Sequence, residues 1–293
     1  VPHLYDMHSS LPRQLESFGV GNFWPLKQIF AFMEAAVIKS SEAVITIDSE
    51  LAGIVKEINP NARHINIENT AVSFNTGFGV ENDVLTAETI RKDLELEDRI
   101  AVIYTGTFER YQGLDLVVKS VEKVKDLHPK VKYIMVGGKP HQVDELRDIV
   151  AEKGLEQWVH FTGIVSPEEA LIYLDAADIL LSSRIEGTSV PLKVYSYMHA
   201  EKPIVATNLE AHTQVFNPSM SVLVDPTIDG LANGVLSYLD NPDKMELMAR
   251  RAKDYANEYY STASYIKRVG NIYEMLQAPY YIPKNDAVHS LEV

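Results

Sequence analysis

The chain has no cysteine. Disulfides, thiolate nucleophiles and thiolate metal sites are therefore excluded together. Long apolar runs are missing as well: the longest, from Ile29 to Ile38, is broken by Glu34, so nothing reads as a membrane span. Positive charge is in short supply. With 27 basic against 41 acidic residues and a formal net charge of −14, the surface as a whole does not suit nucleic acid or anionic lipid, which leaves only a local basic pocket open. There is no low-complexity tract and no repeat of solenoid period. The sequence starts at Val1 with neither an initiator methionine nor a signal-like segment, and the expectation is a fragment or a processed chain.

What is present is globular: 46% hydrophobic and 23% charged over 293 residues, longer than one core supports, so two domains are expected. A strand over Val1–Asp6 precedes a polar turn at His8–Ser10. A helix over Pro25–Lys39 follows, with Phe30, Met33 and Val37 at helical spacing. Ala43–Ile47 reads as a buried strand, Asp48 opens a helix with Leu51, Ile54, Val55 and Ile58 inward, and His64–Ile67 is another strand. Polar, glycine-bearing residues place a hinge near 75–85.

A fuller α/β unit comes next. Buried strands fall at Ile100–Tyr104, Tyr133–Val136, Val159–Thr162, Asp178–Leu181, Pro203–Ala206 and Ser221–Val224, separated by helical patterns. Leu114, Val117, Val118, Val121 and Val124 form one apolar stripe. Ser166 to Glu169 is a capping box with proline in the first turn. Short apolar strands alternating with helices specify a doubly wound parallel sheet, whose ligands bind at the carboxyl ends of the strands. Gly106 and Gly113, after the first of these strands, are spaced too widely for GxGxxG, which argues against a dinucleotide-dependent dehydrogenase. From Pro226 to Gln277 the pattern is helical and tyrosine-rich, and from Pro279 it is loosely patterned.

Ser182 to Thr207 is the most informative stretch. It reads as a strand end, a polar turn, a short helix opened by Pro191, and a second strand. A helix start leaves N–H groups unpaired and carries partial positive charge, so this turn is a ready anion site. Lys193 in the first helical turn fits an anion nearby, and Arg184 and Glu186 fit a phosphate or sugar contact and a hydroxyl acceptor. The plain alternative is an exposed ion-pair cluster of Arg184, Glu186 and Lys193.

AVIYTGTFERYQGLDLVVKSV, the VGG turn, VHFTGIVSPEEALIYLDAADILLSS and EGTSVPLKVYSYMHAEKPIVATN together resemble the group 1, or family 4, glycosyltransferases. The resemblance runs in order over about residues 1–277. It implies an α/β, GT-B-like architecture of two Rossmann-like doubly wound parallel-sheet domains, the N-terminal one incomplete. Residues 1–82 would be the last part of the acceptor-side domain and 83–260 the nucleotide-sugar-binding domain. Residues 261–293 would supply the helix crossing back to the first domain, plus a tail. The implied reaction is a retaining, metal-independent transfer from a UDP- or GDP-linked sugar, with no cofactor, to a glycan or lipid-linked acceptor. The setting implied is bacterial cell-envelope polysaccharide synthesis, cytoplasmic or peripheral to the inner membrane, and a partner chain would complete the first domain.

Residue by residue, the resemblance puts His8 near the donor sugar and Gly106 and Thr107 beside the diphosphate. It puts Gly137 and Gly138 along the nucleotide and Ile164 and Val165 against the base. Glu186, Gly187, Thr188, Ser189, Val190, Pro191 and Leu192 form the loop that holds sugar hydroxyls and diphosphate. The first turn departs from the family, with Thr107 and Gln112 where an arginine and a lysine clamp the diphosphate. Arg110, Arg184 and Lys193 are the candidate substitutes, Arg184 foremost. Ser196 stands where a ribose-binding glutamate is usual, and the register leaves Thr188 competing with Glu186 as the first glutamate position. Two other readings stand beside a transferase. One is a sugar-nucleotide epimerase using His8, His212 and Glu186, and the other is a catalytically silent nucleotide-sugar-binding subunit. His212 itself reads as a packing or capping residue.

Overall fold

The computed structural model describes residues 2–17, 24–70 and 85–277. The proposed hinge near 75–85, the domain limit at 82/83 and the tail from Pro279 fall almost wholly outside them. The chain divides into two compact units, Val1–Glu68 with Ala263–Val293, and Asn69–Thr262.

The smaller unit holds β1 (Leu4–Met7), α1 (Leu11–Ser17), α2 (Trp24–Ser40), β2 (Ala43–Thr46), α3 (Ser49–Ile58) and β3 (His64–Asn66). The strands pair in parallel in the order β1-β2-β3. Asp48 caps α3 as its sequence position requires, its carboxylate accepting from Leu51 N–H at 2.8 Å. On α2 the inward face differs from the expected one. Met33 is exposed, whereas Glu34 and Ile38 are buried. Glu34 goes inward because it accepts from Ser10 Oγ at 3.2 Å and from Leu11 N–H at 3.0 Å, satisfying the start of α1. The last helix, α12 (Thr262–Gln277), belongs to this unit: Ile272 packs with Ala43, Ile45 and Ile67, and Arg268 pairs with Glu68.

The larger unit opens with α4 (Ala87–Asp93). It then alternates through β4 (Ile100–Thr105), α5 (Leu114–Leu127), β5 (Val131–Val136), α6 (Pro140–Glu152), β6 (Val159–Gly163), α7 (Pro167–Ala176) and β7 (Ile179–Ser182). It continues with α8 (Lys193–His199), β8 (Ile204–Thr207), α9 (Glu210–Thr213), β9 (Val222–Val224), α10 (Ile228–Leu239) and α11 (Pro242–Tyr259). Six parallel strands run in the order β6-β5-β4-β7-β8-β9. Val102, Tyr104, Leu181 and Val205 face one core with α5 and α10. Ile103, Leu180, Ile204 and Ala206 face another with α8. Both faces are covered, which is why the strands read as unbroken apolar runs.

β5 ends in Gly137 at φ +117°, and a Cβ there would stand 2.0 Å from the carbonyl oxygen of Gly106. Only glycine lets the turns after β4 and β5 meet this closely. Gly137→Ala is expected to destabilise by roughly 2–4 kcal/mol, combining left-handed strain with a backbone clash. Gly154, at φ +62° with open space around it, supplies the control. Gly154→Ala is expected to cost at most about 1 kcal/mol. Denaturant melts of both variants check the difference, and equal losses would contradict the close approach.

Candidate functional site

β4 and β7 are neighbours, and their connections leave to opposite sides, β4 toward β5 and β7 toward β8. This is the switch point of the sheet, where the loops after the two strands part and leave a crevice. The loops are tied together at its floor. Ser183 Oγ donates to Gln112 O at 2.7 Å, and Ile185 N–H donates to Tyr111 O at 2.9 Å.

Arg184 and Lys193 are brought together here. Arg184 Nε donates to Glu186 O at 2.7 Å and Nη1 donates to Ser189 O at 2.8 Å, and its guanidinium lies 4.9 Å from the centre of the Tyr111 ring. Lys193 Nζ sits 3.7 Å from the centre of the Tyr104 ring and 3.4 Å from Gln112 Oε1. Neither cation pairs with a carboxylate among the described residues. The exposed ion-pair cluster is therefore not formed, and Arg184 takes the backbone carbonyl of Glu186 instead. Burial pushes the Lys193 ammonium well below the ordinary lysine value, and the neighbouring Arg184 pushes it further. Burial lowers Arg184 too. Two desolvated cations side by side are unfavourable, and the ring contact offsets only about 2 kcal/mol of that. An anion would offset the rest.

The loop carrying these cations offers donors. The N–H groups of Ser189, Val190, Leu192 and Lys193 go to no acceptor among the described residues. The helix begins at Lys193, two residues beyond the expected Pro191. The reason is its tight entry: Val194 N–H bonds to Pro191 O at 3.1 Å and Tyr195 N–H to Leu192 O at 3.3 Å, so Pro191 supplies a carbonyl to the first turn.

Beyond the Gly106–Gly137 contact lies a groove of about 280 Å³ lined by Gly138, Pro140, Val143, Asp144, Arg147, Thr162, Gly163 and Ile164. Ile164 is 72% exposed at its edge, while Val165 packs inward. Gly138 lies against the Phe108 ring, where a Cβ would come within 2.4 Å.

The other expected residues have contacts of their own. Thr107 offers its carbonyl to Tyr104 Oη at 2.7 Å. Arg110 is exposed on a short 3-10 turn, and Glu186 and Gly187 are exposed on the loop. Thr188 O accepts from Gln214 Nε2 at 2.7 Å. Ser196 is half-buried on α8. His8 belongs to the smaller unit, exposed on the turn after β1 with Nε2 3.1 Å from Asp6 Oδ2. The sequence reading passed over Tyr104, Tyr111 and Gln214. Tyr104 had one usable signal, a large polar-tipped aromatic on the strand that feeds the glycine turn. Among the described residues no group of three or more histidine and carboxylate side chains is placed to hold a metal ion.

His212 is fully buried behind this site. Its Nδ1 lies 2.9 Å from Thr207 O, which can only accept, so the proton sits on Nδ1 and Nε2 accepts from Ser182 Oγ at 2.8 Å. Thr207 Oγ1 in turn donates to Arg184 O at 2.5 Å. Burial above all, with Lys193 and Arg184 adding to it, lowers the imidazole to about 4. The unfolded chain therefore takes a proton near pH 6.5 that the folded chain refuses until about 4. Stability from this residue is whole above pH 6.5 and is lost as the pH falls toward 4, by up to about 3 kcal/mol. Thermal melts from pH 7.5 to 4 check this, with His212→Gln expected to flatten the acid slope. An unchanged slope would contradict the neutral, locked imidazole.

Comparison with known proteins places this geometry. The family described as glycosyl transferases group 1 matches residues 86–255, more than half of the chain. An uncharacterized glycosyltransferase of Methanocaldococcus jannaschii is 22% identical over 243 residues, 82% of this chain and 60% of the relative. The trehalose synthase of Thermococcus litoralis is 26% identical over 202 residues, 64% of this chain and 48% of that protein. The chain thus spans about half to three fifths of these curated relatives. Among solved structures, Anabaena HepE in complex with UDP superposes with a TM-score of 0.75 at 17% identity, over 94% of this chain and 72% of that one. Sucrose-phosphate synthase from Thermosynechococcus elongatus gives 0.69 at 18% identity, over 94% and 67%. These likenesses show a GT-B fold, mixed α/β with parallel sheets. With its larger unit matched almost throughout, the chain belongs to the group 1 glycosyl transferases.

Proposed function

We propose that this chain carries the donor site of a retaining glycosyltransferase, which moves a sugar from a nucleoside diphosphate to an acceptor hydroxyl on a glycan or lipid. The observation that supports this most is the pairing of unpartnered amides at Ser189, Val190, Leu192 and Lys193 with two cations that lack counter-ions. In the transfer, the bond from the sugar's C1 to the diphosphate oxygen breaks and its electron pair leaves with the diphosphate. The acceptor oxygen bonds C1 on the same face as its proton departs. The barrier lies in the growing charge on the leaving group, and preorganised N–H donors and cations lower it without reorganising.

On this reading the diphosphate lies along the loop 187–193 beside Gly106 and Thr107, and Arg184 and Lys193 provide positive charge. Glu186, exposed at the loop's start, receives sugar hydroxyls, and His8 serves the donor sugar as the resemblance implies. The base takes the groove at Gly138 and Ile164, reached past Gly137, with Val165 anchoring its edge from the core side. Ser196 is a weaker ribose acceptor than a carboxylate and leaves the choice of UDP or GDP to other contacts. Arg110 is a peripheral charge. No metal and no cofactor enter, and the protein acts in the cytoplasm or at its membrane face. Among the described residues no helix is long and apolar enough to cross a membrane.

The epimerase reading is weakened because both His212 ring nitrogens are already engaged. A silent binding subunit is the competing reading, and product release decides it. Incubated with UDP- and GDP-linked sugars, the full protein is expected to release nucleoside diphosphate only when an acceptor is added. The anomeric configuration in the product is expected to match the donor by NMR. UDP or GDP at 100 times Kd is expected to stabilise by about 2.7 kcal/mol in thermal melts, and Arg184→Ala to abolish this. Acceptor-independent release, or inversion at C1, would overturn the retaining transfer.

A further inference from the structure

We propose a division of labour within this site: Lys193 is the cation that meets the diphosphate, while Arg184 and Gln214 are positioning residues that aim the loop's amides at it. The inference rests on the donor-site reading above and goes beyond it by separating contact from support.

In a trans peptide the C=O of one residue and the N–H of the next point in opposite directions. Ser189 O is held by Arg184 Nη1 at 2.8 Å, so the Val190 N–H points away from Arg184. Thr188 O is held by Gln214 Nε2 at 2.7 Å, so the Ser189 N–H points away from Gln214. Glu186 O, held by Arg184 Nε at 2.7 Å, sets the Gly187 N–H in the same way. The Ser189 and Val190 amides are therefore free because these two side chains have taken the carbonyls behind them, whereas the carbonyls behind Leu192 and Lys193 are taken by the Val194 and Tyr195 amides. Gly187, at φ +95°, is shaped to this support, since a Cβ there would lie 2.7 Å from Arg184 Nη2.

Arg184 has thus committed Nε and Nη1 to the backbone and its face to Tyr111. Lys193 is different. Its Nζ has one weak partner, Gln112 Oε1 at 3.4 Å, and rests over the Tyr104 ring. It also faces the Gly106 turn, where an added Cβ would lie 3.7 Å from Nζ. The groups around it on the other elements are Arg184, Tyr104 and the buried His212, none of them an anion. Gln112 reaches Lys193 Nζ from the other side of the crevice, so a lysine at 112 is the exchange that tests whether a cation there can replace Lys193.

The test uses the full chain and inorganic pyrophosphate, UDP and GDP in calorimetric titrations. Lys193→Gln is expected to weaken pyrophosphate and nucleoside diphosphate at least tenfold and, by removing a desolvated cation beside Arg184, to raise the melting temperature of the free protein. The exchanged pair, Gln112→Lys with Lys193→Gln, is expected to recover most of the binding. Arg184→Lys keeps the charge but not the fork. It is expected to bind as poorly as Arg184→Gln and to shift the Ser189 and Val190 amide resonances of the free protein, which Lys193→Gln leaves in place. Unchanged pyrophosphate binding in Lys193→Gln, or full binding in Arg184→Lys, would overturn the division of labour while leaving the donor-site reading standing. Lys193-dependent binding of pyrophosphate with no binding of either nucleoside diphosphate would keep Lys193 as the anion contact and sink the nucleotide reading. A wild-type chain that binds none of the three would overturn both.

Discussion

Two positive charges, one on Arg184 and one on Lys193, each partly withdrawn from water and neither ion-paired with a carboxylate among the described residues, are the constraint around which the larger unit is arranged. Burial lowers both Arg184 and Lys193, and Arg184 acts on Lys193 as a like charge. A folded protein tolerates such a pair only if its surroundings offset the cost. Tyr104 and Tyr111 supply ring faces, and backbone carbonyls take the guanidinium. The remaining imbalance is what the diphosphate of the proposed donor site would offset, in keeping with the usual link between perturbed groups and function.

The support extends inward from those cations. Arg184 O is gripped by Thr207 Oγ1, Thr207 O by His212 Nδ1, and His212 Nε2 by Ser182 Oγ. The chain of bonds crosses from β8 to β7 under the loop and is buried throughout, so each member is satisfied by the next. Tyr197, on α8, does similar work nearby: its hydroxyl accepts from Thr105 N–H at 2.9 Å, linking the helix behind Lys193 to the end of β4. The site thus rests on a rigid polar floor although its outer loop is exposed.

Much of the fold was legible because buried parallel strands and amphipathic helices leave periodic signals. Val117, Val118, Val121 and Val124 announced α5, and Ser166 with Glu169 announced the start of α7, where Glu169 Oε2 accepts from Ser166 N–H at 2.8 Å. Met33 and Glu34 misled for a physical reason. An apolar count cannot register a buried carboxylate whose partners, Ser10 and Leu11, lie in another element. Pro191 was placed at the helix start because proline favours a first turn, but the tight entry moved the start to Lys193. At the site, Arg184, Glu186 and Lys193 were visible as charges in an otherwise uncharged turn. Their separate surroundings were not, because Tyr104, Tyr111 and Gln214 lie tens of residues away in sequence. Glycines told a mixed story. Gly137 and Gly138 read as ligand-facing turns, yet each is also required by a neighbour, the Gly106 carbonyl and the Phe108 ring.

The account comes down to whether the bare amides of the loop bind a diphosphate. Two-dimensional amide NMR of the chain titrated with UDP and GDP measures this directly. The account predicts downfield shifts and slowed hydrogen exchange at Ser189, Val190, Leu192 and Lys193 at saturation with whichever nucleotide binds. Saturable nucleotide binding that leaves those four amides unmoved would contradict it.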